Sequence, residues 1–170
     1  MTINSASGGM EDIAMSDGSM NSAPITAGVT VQVYVPTNET ATARSFYSTL
    51  FGREPEFEPH DDFFEWSPIS GQECWVQVGG KADAAPMHNR MRFRVHDLRA
   101  ALDFLDSSGI EHSEPSQLPE VVAFVDFSDP WGNRLGYYQD LVPSEQQVEY
   151  RGTSVNDDAQ FIEYEGSHQK

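Results

Sequence analysis

Hydrophobic and polar residues alternate strictly from Val29 to Val35: Val29, Val31, Val33 and Val35 share one face, and Thr30, Gln32 and Tyr34 share the other. That two-residue period predicts a half-buried strand. The spacing then lengthens to that of a helix, with Ala43, Phe46, Tyr47, Leu50 and Phe51 on one stripe, Thr37 or Asn38 as the N-cap and Gly52 as a left-handed stop. Arg53–Pro59, Asp62–Ser67 and Glu73–Val78 read as three short strands, broken at Pro59-His60-Asp61 and at Pro68-Ile69-Ser70-Gly71. After a Gly- and Ala-rich loop over 79–86 the order returns. Met91, Phe93 and Val95 alternate with Arg90, Arg92 and Arg94, and Asp97 caps a helix carrying Leu98, Ala101, Leu102 and Leu105. Gly109 ends that helix, and Ile110–Ser116, Val121–Phe127 and Arg134–Asp140 give three more strands. Val35 to Val95 is a step of 60 residues and Gly52 to Gly109 one of 57, so the middle of the chain holds two copies of one βαβββ module, 29–80 and 88–141. Neither copy can bury its sheet alone.

The two ends differ from this middle. Residues 1–28, rich in Ser, Gly, Asn, Met and Ala, are expected to form a disordered tail, without the basic start and apolar run of an export signal. Residues 142–170 form a polar extension in which Val148, Tyr150, Phe161, Ile162 and Tyr164 could build an added strand. With no apolar run of membrane-spanning length, a cytoplasmic protein is expected. The single Cys74, beside Trp75 in an apolar strand, suits a reducing compartment and a packing role. A net charge of −17 repels phosphate backbones and anionic membranes, so neither nucleic acid nor membrane is an expected partner. His60, His88, His96, His112 and His168 fall in turns, edges or the C-terminal extension, with no pair at metal-binding spacing on a helix.

Two phrases add a family signal. Phe46-Tyr47-Ser48-Thr49-Leu50-Phe51-Gly52 and Asp129-Pro130-Trp131-Gly132-Asn133-Arg134-Leu135, set in tandem βαβββ modules, resemble the glyoxalase/bleomycin-resistance/dioxygenase superfamily, also called vicinal oxygen chelate proteins. The resemblance covers roughly two thirds of the chain. It implies an α+β fold in which the modules curl into half-barrels, giving an eight-stranded mixed sheet around a cup for a small ligand. It also implies four metal-ligand positions on cup-facing strands, usually His in each first strand and Glu in each last. Here those positions hold Thr30, Arg90, Gln77 and Gly136, so one weak oxygen donor remains and no metal or other cofactor is expected.

If the odd-numbered residues of the first strand pack under the helix, the even set faces the cup. Thr30, Gln32, Tyr34, Trp75 and Gln77 from the first module and Arg90, Arg92, Arg94 and Tyr138 from the second are then the candidate ligand-binding residues. Three arginines on one strand face need partners, from Asp140, Glu73 or Asp126, or from an anionic ligand. No catalytic residue is identified. The preferred reading is a metal-independent protein that binds an aromatic or charged small molecule, such as an antibiotic or aromatic metabolite, and works as a homodimer by analogy with the family. A metal-dependent lyase, isomerase or ring-cleaving dioxygenase, and a regulatory or accessory protein, are the alternatives.

Overall fold

The computed structural model describes residues 28–143 and 161–168. Its first module runs β1 (Val29–Val35), α1 (Thr40–Phe51), β2 (Phe57–His60), β3 (Phe63–Trp66) and β4 (Cys74–Gly80). The second runs β5 (Arg90–Arg94), α2 (Leu98–Ser107), β6 (Ser116–Leu118), β7 (Val122–Ser128) and β8 (Arg134–Asp140), and β9 (Ile162–Glu163) follows. Each module closes its sheet in the same way. The first strand pairs in parallel with the last, giving the orders β1-β4-β3-β2 and β5-β8-β7-β6-β9. The expected α+β architecture of two βαβββ units is therefore present, carried as ladders of four and five strands, with β9 as the added fifth.

The parity read from the sequence sets the core. Val33, Val35, Val76 and Val78 point inward and are almost fully buried, and they join Tyr47, Trp66, Leu98, Leu105, Val125 and Leu135 in one continuous cluster. Phe51 meets Phe93 at 5.5 Å between ring centroids, and Phe46 meets Trp131 at 6.5 Å. Thus α1 is glued to the second module on the face of β5 opposite its arginines. The opposite face of each sheet, which carries the even-numbered residues of β1 and β5, is left turned away from this shared core.

A buried polar knot fixes the same junction. Asp129, 4% exposed, accepts from the Tyr47 hydroxyl at 2.8 Å, from Asn133 Nδ2 at 2.7 Å, and from the backbone N–H groups of Trp131 and Asn133 at 3.0 and 2.8 Å. Asn133 Oδ1 in turn accepts from the Met87 N–H at 2.8 Å. The two phrases that carried the family signal therefore bond to each other across the modules. Burial, then the neighbouring Asp129, pushes the Tyr47 phenol well above the usual tyrosine range.

Several boundaries differ from the sequence reading. Thr37 and Asn38 do not cap α1; they sit in a 3₁₀ turn after Pro36, and the cap position, Glu39, makes no side-chain cap bond. Arg53 belongs to the stop of α1, its N–H bonding Ser48 O at 3.1 Å, so β2 begins only at Phe57. Ile110 closes α2, with its N–H on Leu105 O at 3.0 Å, and the following strand is Ser116–Leu118 rather than Ile110–Ser116. Asp97 caps α2 as expected, accepting from the Arg99 and Ala100 N–H groups. Gly52 and Gly109 take φ of 65° and 67°. The N-terminal tail before Gly28, and Val148 and Tyr150 of the extension, lie outside the described residues. Among the described residues no helix is long and apolar enough to cross a membrane.

Candidate functional site

The outward face of the second sheet is built around one missing side chain. Arg92 of β5, Gly136 of β8 and Asp126 of β7 lie in register across three strands. A Cβ on Gly136 would stand 2.8 Å from Val125 O, 3.0 Å from Asp126 Oδ1 and 3.1 Å from Arg92 Cγ. With no Cβ there, Arg92 reaches across Gly136 to Asp126, placing Nη2 at 2.9 Å and Nε at 3.2 Å from Oδ1. Arg90 Nη1 reaches the other oxygen of the same carboxylate at 3.1 Å. Two guanidinium groups thus share one anion, which leaves a local excess of positive charge on a strongly acidic protein. Burial lowers the Arg90 pKa, Asp126 opposes that shift, and the nearby Arg92 and Arg134 add to it. Arg90 Nε is buried with no hydrogen-bond partner.

Aromatic walls stand beside this charge. Arg92 lies over the Phe124 ring with its guanidinium carbon 4.4 Å from the centroid, and Phe161 meets Phe124 edge-on at 5.6 Å. Arg90, Arg92, Val122, Phe124, Tyr138 and Phe161 line an open cavity of about 650 Å³. That volume lies in the range of small-molecule sites, ~300–1,000 Å³, and the mixture of rings and placed charges is typical of them.

Of the residues expected to bind ligand, the structure gathers Arg90, Arg92 and Tyr138 at this cavity. Arg94 pairs with Asp140 at 2.9 Å and does not border it. Thr30, Gln32, Tyr34, Trp75 and Gln77 are also apart from it, on the outward face of the first sheet. Tyr34, Gln32 and Gln77 form a chain of side-chain bonds that ends on Glu65. The Tyr34 hydroxyl donates to Gln32 Oε1 at 2.6 Å, Gln32 Nε2 to Gln77 Oε1 at 3.4 Å, and Gln77 Nε2 to Glu65 Oε2 at 3.0 Å. The row Gln32-Gln77-Glu65 occupies the register that Arg92-Gly136-Asp126 holds in the other module. Glu73, weighed as an arginine partner, instead accepts from Trp75 Nε1 at 3.2 Å. Val122 and Phe124 were missed, although they share the parity of Asp126 on β7; Phe161 was expected only as part of an added strand, with nothing local to join it to the arginines.

A second groove of about 590 Å³ lies between Phe46, the loop over 108–113 and the turn before β8. Both nitrogens of its His112 are engaged, by Ser113 O and Asp106 Oδ1, so it presents no comparable group to a ligand.

Known structures share the fold of this chain. A glyoxalase/bleomycin resistance protein from Catenulispora acidiphila superposes with a TM-score of 0.58 at 24% identity, over 69% of this chain and 100% of that one. The chain has the glyoxalase/bleomycin-resistance fold. An antibiotic binding protein from Streptomyces has the same fold, with a TM-score of 0.56 at 23% identity over 69% of this chain and 98% of its own. So does a lactoylglutathione lyase from Agrobacterium tumefaciens, with a TM-score of 0.54 at 18% identity over 70% and 97%. No protein-family model matches the sequence, and no curated protein matches it. These structures are matched over nearly their whole length, so the excess length of this chain lies beyond the shared fold.

The family resemblance assigns metal-donor positions to Thr30, Gln77, Arg90 and Gly136. Those residues do not fit a divalent ion. Gln77 already accepts from Gln32 and donates to Glu65, Arg90 is a cation, and the space above Gly136 is crossed by the Arg92 to Asp126 bridge.

Proposed function

We propose that the protein is a metal-independent small-molecule-binding protein of the glyoxalase/bleomycin-resistance superfamily. Its ligand is an anion that carries a ring, held in the cavity on the second sheet. The observation that carries this reading is one carboxylate shared by the Arg90 and Arg92 guanidinium groups, with Arg92 lying over the Phe124 ring in the same cavity. A carboxylate, sulfonate or phenolate would complete the charge balance through charge-assisted bonds, and the rings would cover its apolar body. Sequestration of an aromatic antibiotic or metabolite is the role this binding would serve. The fold shared with the antibiotic binding protein from Streptomyces supports this role.

Calorimetric titration with 2-naphthoate and with the uncharged 2-naphthamide tests the reading. The acid should bind and the amide should bind at least ~10-fold more weakly, the loss of one hydrogen bond to a charged group. Equal affinity for the two, or none for either, discards it. Metal analysis of protein purified without chelator should find no stoichiometric Zn, Mn, Fe or Ni; one equivalent surviving dialysis would favour the lyase or dioxygenase reading. A homodimer is also proposed, supported by the outward-turned sheet faces and by the exposed Val29, Tyr34 and Phe57. Light scattering should then give twice the 18.9 kDa of one chain.

A further inference from the structure

The strand β9 belongs to neither βαβββ module, yet it is the outermost strand of the second sheet, with Glu163 opposite Ser116 and Ile162 opposite Gln117. Three further bonds hold the segment around it. The Tyr164 N–H donates to Pro115 O at 3.2 Å, the Glu165 N–H to Gln117 Oε1 at 3.4 Å, and Arg99 Nη1, from α2, to Gly166 O at 3.2 Å. The Tyr164 side chain packs against the core cluster. These anchors place Phe161 at the mouth of the cavity, perpendicular to the Phe124 ring on which Arg92 also rests.

We propose that this C-terminal segment is the specificity element of the ligand site. Phe161 supplies the wall against which the ring of the bound anion packs, and the bound ligand in turn holds β9 on the sheet. The inference rests on the cavity being the ligand site, as proposed above. Its physical basis is the contrast between the two sides of the cavity. The arginine side is fixed by long strands, β5 to β8 pairing over five residues and β8 to β7 over seven. The Phe161 side hangs on a two-residue strand, and Phe161 and Ile162 remain 38% and 42% exposed. Such a segment sits at the low end of local stability, where docking and release are accessible equilibria. A ligand touching both sides binds the docked form more tightly, so by linkage it must raise the docked population by the same factor. The arginines then select for charge, and Phe161 selects for a ring over a small aliphatic body.

The test uses the full chain with 2-naphthoate and acetate as probes, and Phe161→Ala, Phe161→Leu and Arg92→Ala as variants. Phe161→Ala should weaken naphthoate binding ~3–10-fold, the worth of one aromatic contact, and leave acetate binding unchanged. Phe161→Leu, which keeps apolar area but loses the ring, should fall between. Saturating naphthoate should slow hydrogen exchange at the Ile162 and Tyr164 amides in the wild type but not in Phe161→Ala. If Arg92→Ala loses naphthoate while Phe161→Ala keeps wild-type affinity and exchange, this inference is overturned and the site stands. If the wild type binds no naphthoate, both fall together.

Discussion

Replacing Arg92 by alanine removes two interactions at once, and the structure says how much of each loss falls on stability and how much on binding. The guanidinium makes contacts of 2.9, 3.2 and 3.3 Å to Asp126 and covers Phe124. Breaking a fully buried ion pair would cost ~3–5 kcal/mol because the surviving charge is stranded. That does not apply here. The Arg92 and Asp126 side chains are 33% and 26% exposed, and Arg90 Nη1 stays within 3.1 Å of the same carboxylate. The expected stability loss is that of a partly solvated pair, ~0.5–1 kcal/mol, plus a cation–π contact of ~0.5–1 kcal/mol. The sum, ~1–2 kcal/mol, corresponds to a Tm about 3–8 °C lower. Binding should suffer more. Loss of a hydrogen bond to a charged ligand group is worth ~1.5–3 kcal/mol, or about 10- to 150-fold in Kd for 2-naphthoate. Arg44→Ala is the control, since it removes partly exposed ion pairs with Glu54 and Glu58 on the first module. Calorimetry and thermal melting on the two variants separate the effects. A Tm drop beyond about 12 °C with unchanged naphthoate affinity would show that Arg92 is structural and that the cavity is not the site.

Other consequences follow from the same geometry. The folded-state pKa of Tyr47 is raised, so its stabilising contribution is complete below the unfolded value of ~10 and is lost as pH rises above it. The Tyr137 phenol, pushed up to about 12 by burial, acts in the same direction. Urea unfolding of wild type between pH 10 and 11.5 should therefore lose ~1 kcal/mol per pH unit more than Tyr47→Phe does, and parallel slopes would refute the buried phenol. Gly136→Ala should cost ~1–3 kcal/mol in urea unfolding and weaken naphthoate binding, because the new methyl meets Val125 O at 2.8 Å; a neutral effect would mean that β7 and β8 spread freely. Asp97→Ala should cost ~1 kcal/mol by removing the acceptor for the Arg99 and Ala100 N–H groups, measured by the same unfolding curve.

What the sequence alone determined is what local backbone geometry imposes. Alternation at two residues fixed which side of β1 and β5 is buried, and helical spacing with Gly52 and Gly109 fixed α1, α2 and their C-terminal stops, because each signal lies within a few neighbouring residues. The repeat of 60 residues then gave the two modules. Local signals failed where an apolar residue served a helix stop, as Ile110 does, and where an edge strand shows no alternation, as in the fully exposed β2. Which outward-facing residues share a site depends on packing between distant segments. Parity places Arg92, Trp75 and Gln77 alike on outward faces, but they lie in two separate ladders, and the arginine cavity is lined by the second alone, so Trp75 and Gln77 stand apart from it. Cross-strand register decided that Arg92 passes over Gly136 to Asp126, 34 residues away, and the pairing of β9 with β6 brought Phe161 to Phe124. Those contacts join residues far apart in the chain, and the energy that selects them comes from burying both modules in one core, a quantity no short stretch of sequence contains.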